Sequence, residues 1–166
     1  MKHPNHRSSR SVWEDRVSRI TDSIFVGEIM TRSHSGFMAG VGIDTVISIL
    51  SVEHQSKYGV FHPVSKRFVH HTYPYDDGDT IPPETMLEIV ESFGTVTLVH
   101  CISGSNRSTA VTLARLLYEG ADPITACHRY WTERGAQLAK VYRTTPRMSD
   151  AMLSNLLEFQ RFLVSR

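Results

Sequence analysis

Cys101 and Arg107 flank the five residues Ile102, Ser103, Gly104, Ser105 and Asn106, with His100 just before the cysteine and Ser108 just after the arginine. A cysteine attacks as its thiolate, and the planar fork of an arginine grips two oxygens of a phosphate at once, which a lysine cannot do. The run TVTLV at 95–99 leads into this stretch as an apolar strand, and an Ala-, Val- and Leu-rich segment from Ser108 to Tyr118 leads out of it as a buried helix. Such a junction suits an anion, because the first N–H groups of the helix lack intrahelical partners and the dipole places its positive end there. Gly104 lets the backbone turn inward toward the bound group. A thiol beneath those amides and beside Arg107 is expected to ionise well below its free value of about 8.5. The chemistry implied is attack of sulfur on phosphorus to form a phosphocysteine, followed by a second displacement. Ser108 is expected to donate its hydroxyl to the sulfur as charge returns there, and His100 to hold loop carbonyls by its ring N–H. A purely structural buried cysteine also suits the end of an apolar strand, but it leaves the glycine, arginine and serine at their offsets unexplained.

The departing oxygen of a phosphate ester needs a proton, so a carboxylic acid is expected on a separate loop. The segment YPYDDGDTIP at 73–82 follows a strand pattern, is rich in turn formers and offers Asp76, Asp77 and Asp79. Residue type alone leaves all three open.

The elements that must carry these loops are legible as alternating patterns. Ile24, Phe25 and Val26 form a short strand closed by Gly27; Ile43 to Leu50 reads as a buried central strand, and Phe68 to Tyr73 as a further one. Met86, Ile89, Val90 and Phe93 repeat at helical spacing after Pro82 and Pro83, with Gly94 in the position of a C-terminal cap. Gly120 stops the helix after the cysteine loop. Asp122 and Pro123 open another helix, predicted to carry Ile124, Cys127 and Trp131 on one face, and Met148, Met152, Leu156, Phe159 and Leu163 form the stripe of a last one. This alternation predicts an α/β fold: one domain over 13–166, a mostly parallel sheet of about four or five strands flanked by helices, and a flexible basic leader at 1–12.

Bulk properties narrow the function classes. With 166 residues, 40% hydrophobic and 21% charged, and a formal net charge of +1, the chain reads as one ordinary globular domain. Near-neutral charge without a basic cluster at the loop argues against nucleic acid as partner. No apolar run approaches the roughly 18 residues of a membrane span, so no membrane partner is expected and the location is read as cytoplasmic, with the nucleus not excluded. Two cysteines make no disulfide framework. The pairs His70–His71 and Cys127–His128 lack ligand spacing, so neither a metal nor another cofactor is expected. Cys127 is read as core, a regulatory disulfide with Cys101 being the minor alternative.

HCISGSNRS matches in full the His-Cys, five residues, Arg-Ser signature of the protein tyrosine phosphatase superfamily. ITDSIFVGE, GIDTVISIL and YPYDDGDTIPPE resemble the opening strand, the next strand and the acid loop of dual-specificity phosphatases, so the likeness covers roughly 18–166. The resemblance implies a single-domain phosphatase of that fold, acting without a cofactor on phosphotyrosine and on phosphoserine or phosphothreonine in proteins. It implies Cys101 as nucleophile, Arg107 as clamp, Asp77 as general acid with Asp76 as second choice, and residues 102–106 as the seat of a phosphate, sulfate or similar oxyanion. A short domain without a tyrosine recognition loop implies a shallow, tolerant pocket. Phosphoinositide phosphatases of this superfamily carry lysines within the loop, which ISGSN lacks. Asn106 departs from the usual Ser or Gly and is similar to RNA 5′-triphosphatases, so RNA or a phosphorylated small molecule is the alternative substrate. A phosphate-binding adaptor without turnover is the alternative from another class. Where the resemblance implies a short loop, 134–147 is longer and more basic; it is read as a solvated, charged loop, with recruitment of a second phosphate or an acidic peptide by Lys140, Arg143 and Arg147 as the alternative.

Overall fold

Five strands, β1 (Val17–Arg19), β2 (Ile24–Gly27), β3 (Thr45–Ile49), β4 (Val69–Tyr73) and β5 (Thr97–His100), form one sheet in the order β1-β2-β5-β3-β4. β1 pairs antiparallel with β2, and the remaining pairs are parallel. The sequence is therefore right about the α/β class and the mostly parallel sheet. The computed structural model describes residues 16–29, 34–58, 67–142 and 148–166; the leader at 1–12, Arg143, Arg147 and the side chain of Lys140 lie outside them.

β5 is central because its residues are apolar on both faces, as a parallel strand covered on both sides requires. Val99 joins Val26, Ile47 and Ile49 in the larger core, while the alternate residues Leu98, Phe25 and Val46 enter a smaller core with Met38. The larger core lies under α3 (Pro83–Glu91), α4 (Arg107–Tyr118), α5 (Pro123–Tyr130) and α7 (Asp150–Val164). Met38 belongs to α1 (Ser35–Gly40); α2 (Val52–Tyr58) follows β3. A π-helical turn (Trp131–Gly135) links α5 to α6 (Ala136–Tyr142). Among the described residues, no helix is long and apolar enough to cross a membrane.

Several local readings change. β1, α1 and α2 were not foreseen, since three residues carry no pattern and α2 buries no side chain. Gly94 does not cap α3, which is closed at Ser92; a Cβ at 94 would instead fall on the side chains of Thr45 and Asp44. The Asp122 side chain accepts the Thr125 N–H at 3.0 Å and fixes the phase of α5. That phase buries Ala126 and Tyr130, which were not foreseen, lets Cys127 and Trp131 pack partly buried against the larger core as expected, and leaves Ile124 82% exposed, against expectation. The expected loop at 134–147 is helical as far as Tyr142, and Arg134, rather than being solvated, is buried. Ala126, Tyr130 and Arg134 follow one another at intervals of four, and the wider π turn keeps this line facing inward.

Parallel strands deliver their C-terminal ends to one edge, the usual place for a site in such sheets. The segments after β3, β4 and β5 meet there: Leu50–Ser51, 74–82 and 101–106.

Candidate active site

Cys101 leaves the end of β5 with 1% of its surface exposed, and its Sγ lies 3.4 Å from Ser108 Oγ on the first turn of α4. Burial alone would raise the thiol pKa. The hydroxyl and backbone N–H of Ser108, the Arg107 charge and the Gly104 N–H outweigh it, and the net shift is downward.

Arg107 is buried, and its Nη1 donates to the carbonyl of Tyr75 at 2.9 Å, which fastens the acid segment to the loop. Its Nε makes no hydrogen bond and lies 3.6 Å from Asp77 Oδ1. Asn106 Nδ2 donates to the same Asp77 oxygen at 2.7 Å. The other two carboxylates point elsewhere: Asp76 Oδ1 is 3.6 Å from His54 Nδ1, and Asp79 Oδ2 accepts the Asp76 N–H at 2.7 Å. Asp77 is thus the member of the trio beside the loop.

A mouse protein described as a dual specificity phosphatase, complexed with zinc tungstate, aligns with 96% of this chain and 95% of its own at 16% identity, with a TM-score of 0.75. Human DUSP28 aligns over 89% of this chain and 98% of its own, at 16% identity and a TM-score of 0.72. PTPMT1 in complex with PI(5)P aligns over 90% and 97%, at 15% identity and a TM-score of 0.65. The chain has the dual-specificity phosphatase fold. No family model and no curated protein matches the sequence.

Within this phosphatase fold, the loop is shaped from below. Gly104 adopts φ 66°, in the left-handed region that favours glycine, and a Cβ there would collide with the Gly27 carbonyl group and with Arg134 Nη2. Arg134 Nε donates to the Gly104 carbonyl at 3.1 Å and Nη2 to the Ser103 carbonyl at 3.3 Å. A trans peptide points its N–H opposite to its C=O, so drawing the Ser103 carbonyl down aims the Gly104 N–H up toward the sulfur. Thr109 Oγ1 donates to the Ser105 carbonyl at 2.9 Å and is itself 2.6 Å from the buried hydroxyl of Tyr130. Ser103 and Ser105 share a 2.7 Å hydrogen bond between their hydroxyls, and the Ile102 carbonyl accepts the Ile29 N–H at 3.0 Å. Gly104→Ala is expected to lower Tm by roughly 2–8 °C from the left-handed backbone penalty alone, and to cost turnover out of proportion, which melting curves and initial rates together would show.

His100 is buried under the loop. Its Nδ1 lies 3.1 Å from the Cys101 carbonyl, which only accepts, so the proton sits on Nδ1 and Nε2 accepts from Ser48 Oγ at 2.6 Å. The pairing of Ser48 with His100 in the β3–β5 register makes this contact. Burial is the main reason its pKa falls from 6.5 to about 4, the Cys101 carbonyl bond opposing and the His70 and Arg107 charges adding to the fall. Between those two pH values the unfolded chain binds more protons than the folded one. The His100 contribution to stability is therefore complete above about pH 6.5 and is lost as pH drops toward 4, about 3 kcal/mol in all. Urea unfolding at pH 7 and pH 5 should show a smaller acid loss in His100→Asn than in the wild type; equal losses would contradict the assignment.

Arg134, Ser48 and Thr109 were missed as parts of the site. A serine inside the apolar run at 43–50 was a signal for Ser48; Arg134 offered none, because its place depends on the path of the chain. Cys127, also a free thiol, is half-buried beside an apolar pocket of about 100 Å³ lined by Leu113, Leu117, Leu153 and Leu157, and burial raises its pKa.

Proposed function

We propose that this protein is a phosphomonoester phosphatase working through a phosphocysteine on Cys101, with phosphorylated tyrosine, serine or threonine in proteins as substrate. The observation that carries it is a buried thiol with a lowered pKa, set between Ser108 and the Arg107 guanidinium while Asp77 stands across the same loop.

In the first step the Cys101 thiolate attacks phosphorus; the S–P bond forms as the bond to the ester oxygen breaks, and Asp77 gives that oxygen its proton. Loop N–H groups and Arg107 bear the charge on the equatorial oxygens. In the second step a water attacks phosphorus, the Asp77 carboxylate takes its proton, and the S–P bond breaks to release phosphate. Ser108 donates to the sulfur as it regains its charge.

A protein substrate is supported by the rim. Asp77 is 64% exposed while Arg107 beside it is 4% exposed, so the acid candidate stands at the surface where a phosphorylated side chain of a protein can reach it. The loop residues ISGSN supply no side-chain cation for further phosphates of a lipid headgroup or a triphosphate.

The test is hydrolysis of an aryl phosphate by the full chain, with radiolabelled phosphate trapped on Cys101 by acid quench and located by mass spectrometry. Activity without a labelled Cys101 would end the covalent mechanism. Ranking phosphotyrosine and phosphothreonine peptides against a phosphoinositide and a 5′-triphosphate RNA then tests the substrate class, and preference for the RNA or the lipid would overturn the protein assignment.

A further inference from the structure

The Asn106 side chain joins three segments of the chain. Its Oδ1 accepts the backbone N–H of Ser149 at 3.0 Å, its Nδ2 donates to Asp77 Oδ1 at 2.7 Å, and its own carbonyl accepts the Ala110 N–H at 3.0 Å as α4 begins. A carboxamide fits its surroundings either way round until a neighbour decides. Here the neighbour is a backbone N–H, which can only donate, so the oxygen must face Ser149 and the amino group must face Asp77. Ser149 is a firm anchor: it is the N-cap of α7, its hydroxyl accepting the Met152 N–H at 3.3 Å.

Asp77 needs such a tether. Its side chain is largely exposed, and the contacts it makes among the described residues are with Asn106 and with Arg107 Nε at 3.6 Å. The rest of its segment is pinned through other groups, the Tyr75 carbonyl on Arg107 and Asp76 on Asp79. An exposed carboxylate with nothing to bond would spread over its rotamers.

Resting on the phosphatase reading above, the geometry points to Asn106 as the positioning residue of the general acid: it holds Asp77 Oδ1 by a donated hydrogen bond, so that Asp77 delivers and recovers its proton on Oδ2. An oxygen that accepts an N–H is the carbonyl oxygen of a protonated carboxyl, which leaves the O–H to the other. Once the proton has gone, the same N–H still has its acceptor, and nothing need move between the two steps. The tether comes from α7 through Ser149, not from the loop's own backbone.

Two substitutions separate this from a merely structural role. Asn106→Asp keeps an acceptor for the Ser149 N–H but puts a like charge where the donor was; Asn106→Ser removes both contacts. Each is expected to slow a phosphothreonine peptide, whose alkoxide must be protonated, by about 10- to 100-fold. An aryl phosphate with a strongly acidic phenol, which leaves unaided, should lose at least about fivefold less than the peptide does. The rate of Cys101 alkylation by iodoacetate should hold in Asn106→Ser, which reports on the sulfur and not on the acid. In an Asp77→Asn background, Asn106→Ser should add nothing to the leaving-group dependence. Equal losses on both esters, or a full additional loss on top of Asp77→Asn, would overturn the proposal while the phosphatase reading stands. A wild-type chain inert toward both esters would overturn that reading, and this one with it.

Discussion

Cys101→Ser is expected to lower turnover of an aryl phosphate by at least about 10⁴-fold and to leave the affinity for inorganic phosphate within a few-fold. The two halves of this result have separate causes. Turnover requires a nucleophile ionised at working pH, and a serine hydroxyl in place of the thiol stays protonated. Binding relies on groups the substitution does not touch: the loop amides, the Arg107 guanidinium and the start of α4. The small hydroxyl also avoids crowding, since Cys101 is packed against Ser108 at 3.4 Å and is almost fully buried. Steady-state rates and calorimetric titration with phosphate check the pair. Appreciable turnover in the variant would remove the covalent step from the mechanism. Alkylation of the wild type adds an independent reading: Cys101 should react with iodoacetate at pH values where Cys127, whose thiol burial pushes the other way, does not.

Asp77→Asn is expected to have the second largest effect, one that depends on the substrate. For an alkyl ester the expected loss is about 10²–10⁴-fold in kcat, the usual worth of a positioned acid, whereas a highly activated aryl ester should lose far less because its leaving group departs as a stable anion. Asp76→Asn and Asp79→Asn serve as neighbours for comparison. Asp76 faces His54, and Asp79 caps a backbone N–H, so both are expected to alter the loop's stability with little change in leaving-group dependence. A series of aryl phosphates with phenols of increasing pKa distinguishes these cases by slope. A slope in Asp77→Asn equal to that of the wild type would move the acid elsewhere.

The strand, polar turn and helix around Cys101 were legible because they are consecutive, and each is written in signals of a few residues: an apolar run, a glycine, a helix start. The same holds for the long strands and for α7, whose stripe includes the buried Met152, Leu156 and Phe159. What the residues could not say is which of three aspartates faces the loop; the family likeness pointed to Asp77, and the contacts with Asn106 and Arg107 are made by Asp77. Arg134 was misread for a physical reason. A charged residue in a stretch rich in Arg and Lys looks solvated, and its burial depends on a π turn and on carbonyls 30 residues away in the chain. Ile124 was placed inward because it is apolar, while the cap at Asp122 had already set the phase of the helix against it.

The clasp beneath the loop also bears on the order in which the chain assembles. Arg134 reaches the Arg16 carbonyl across 118 positions, and Gln137 Nε2 reaches the Val17 carbonyl across 120. Contacts between segments so far apart close late, since the whole intervening chain must be gathered before they are made. A chain still emerging from the ribosome with Cys101 already synthesised but Arg134 still to come would hold its nucleophile in an unshaped loop. On the proposed mechanism, the thiol of Cys101 would acquire its lowered pKa only after Arg134 has been made and has closed on the loop.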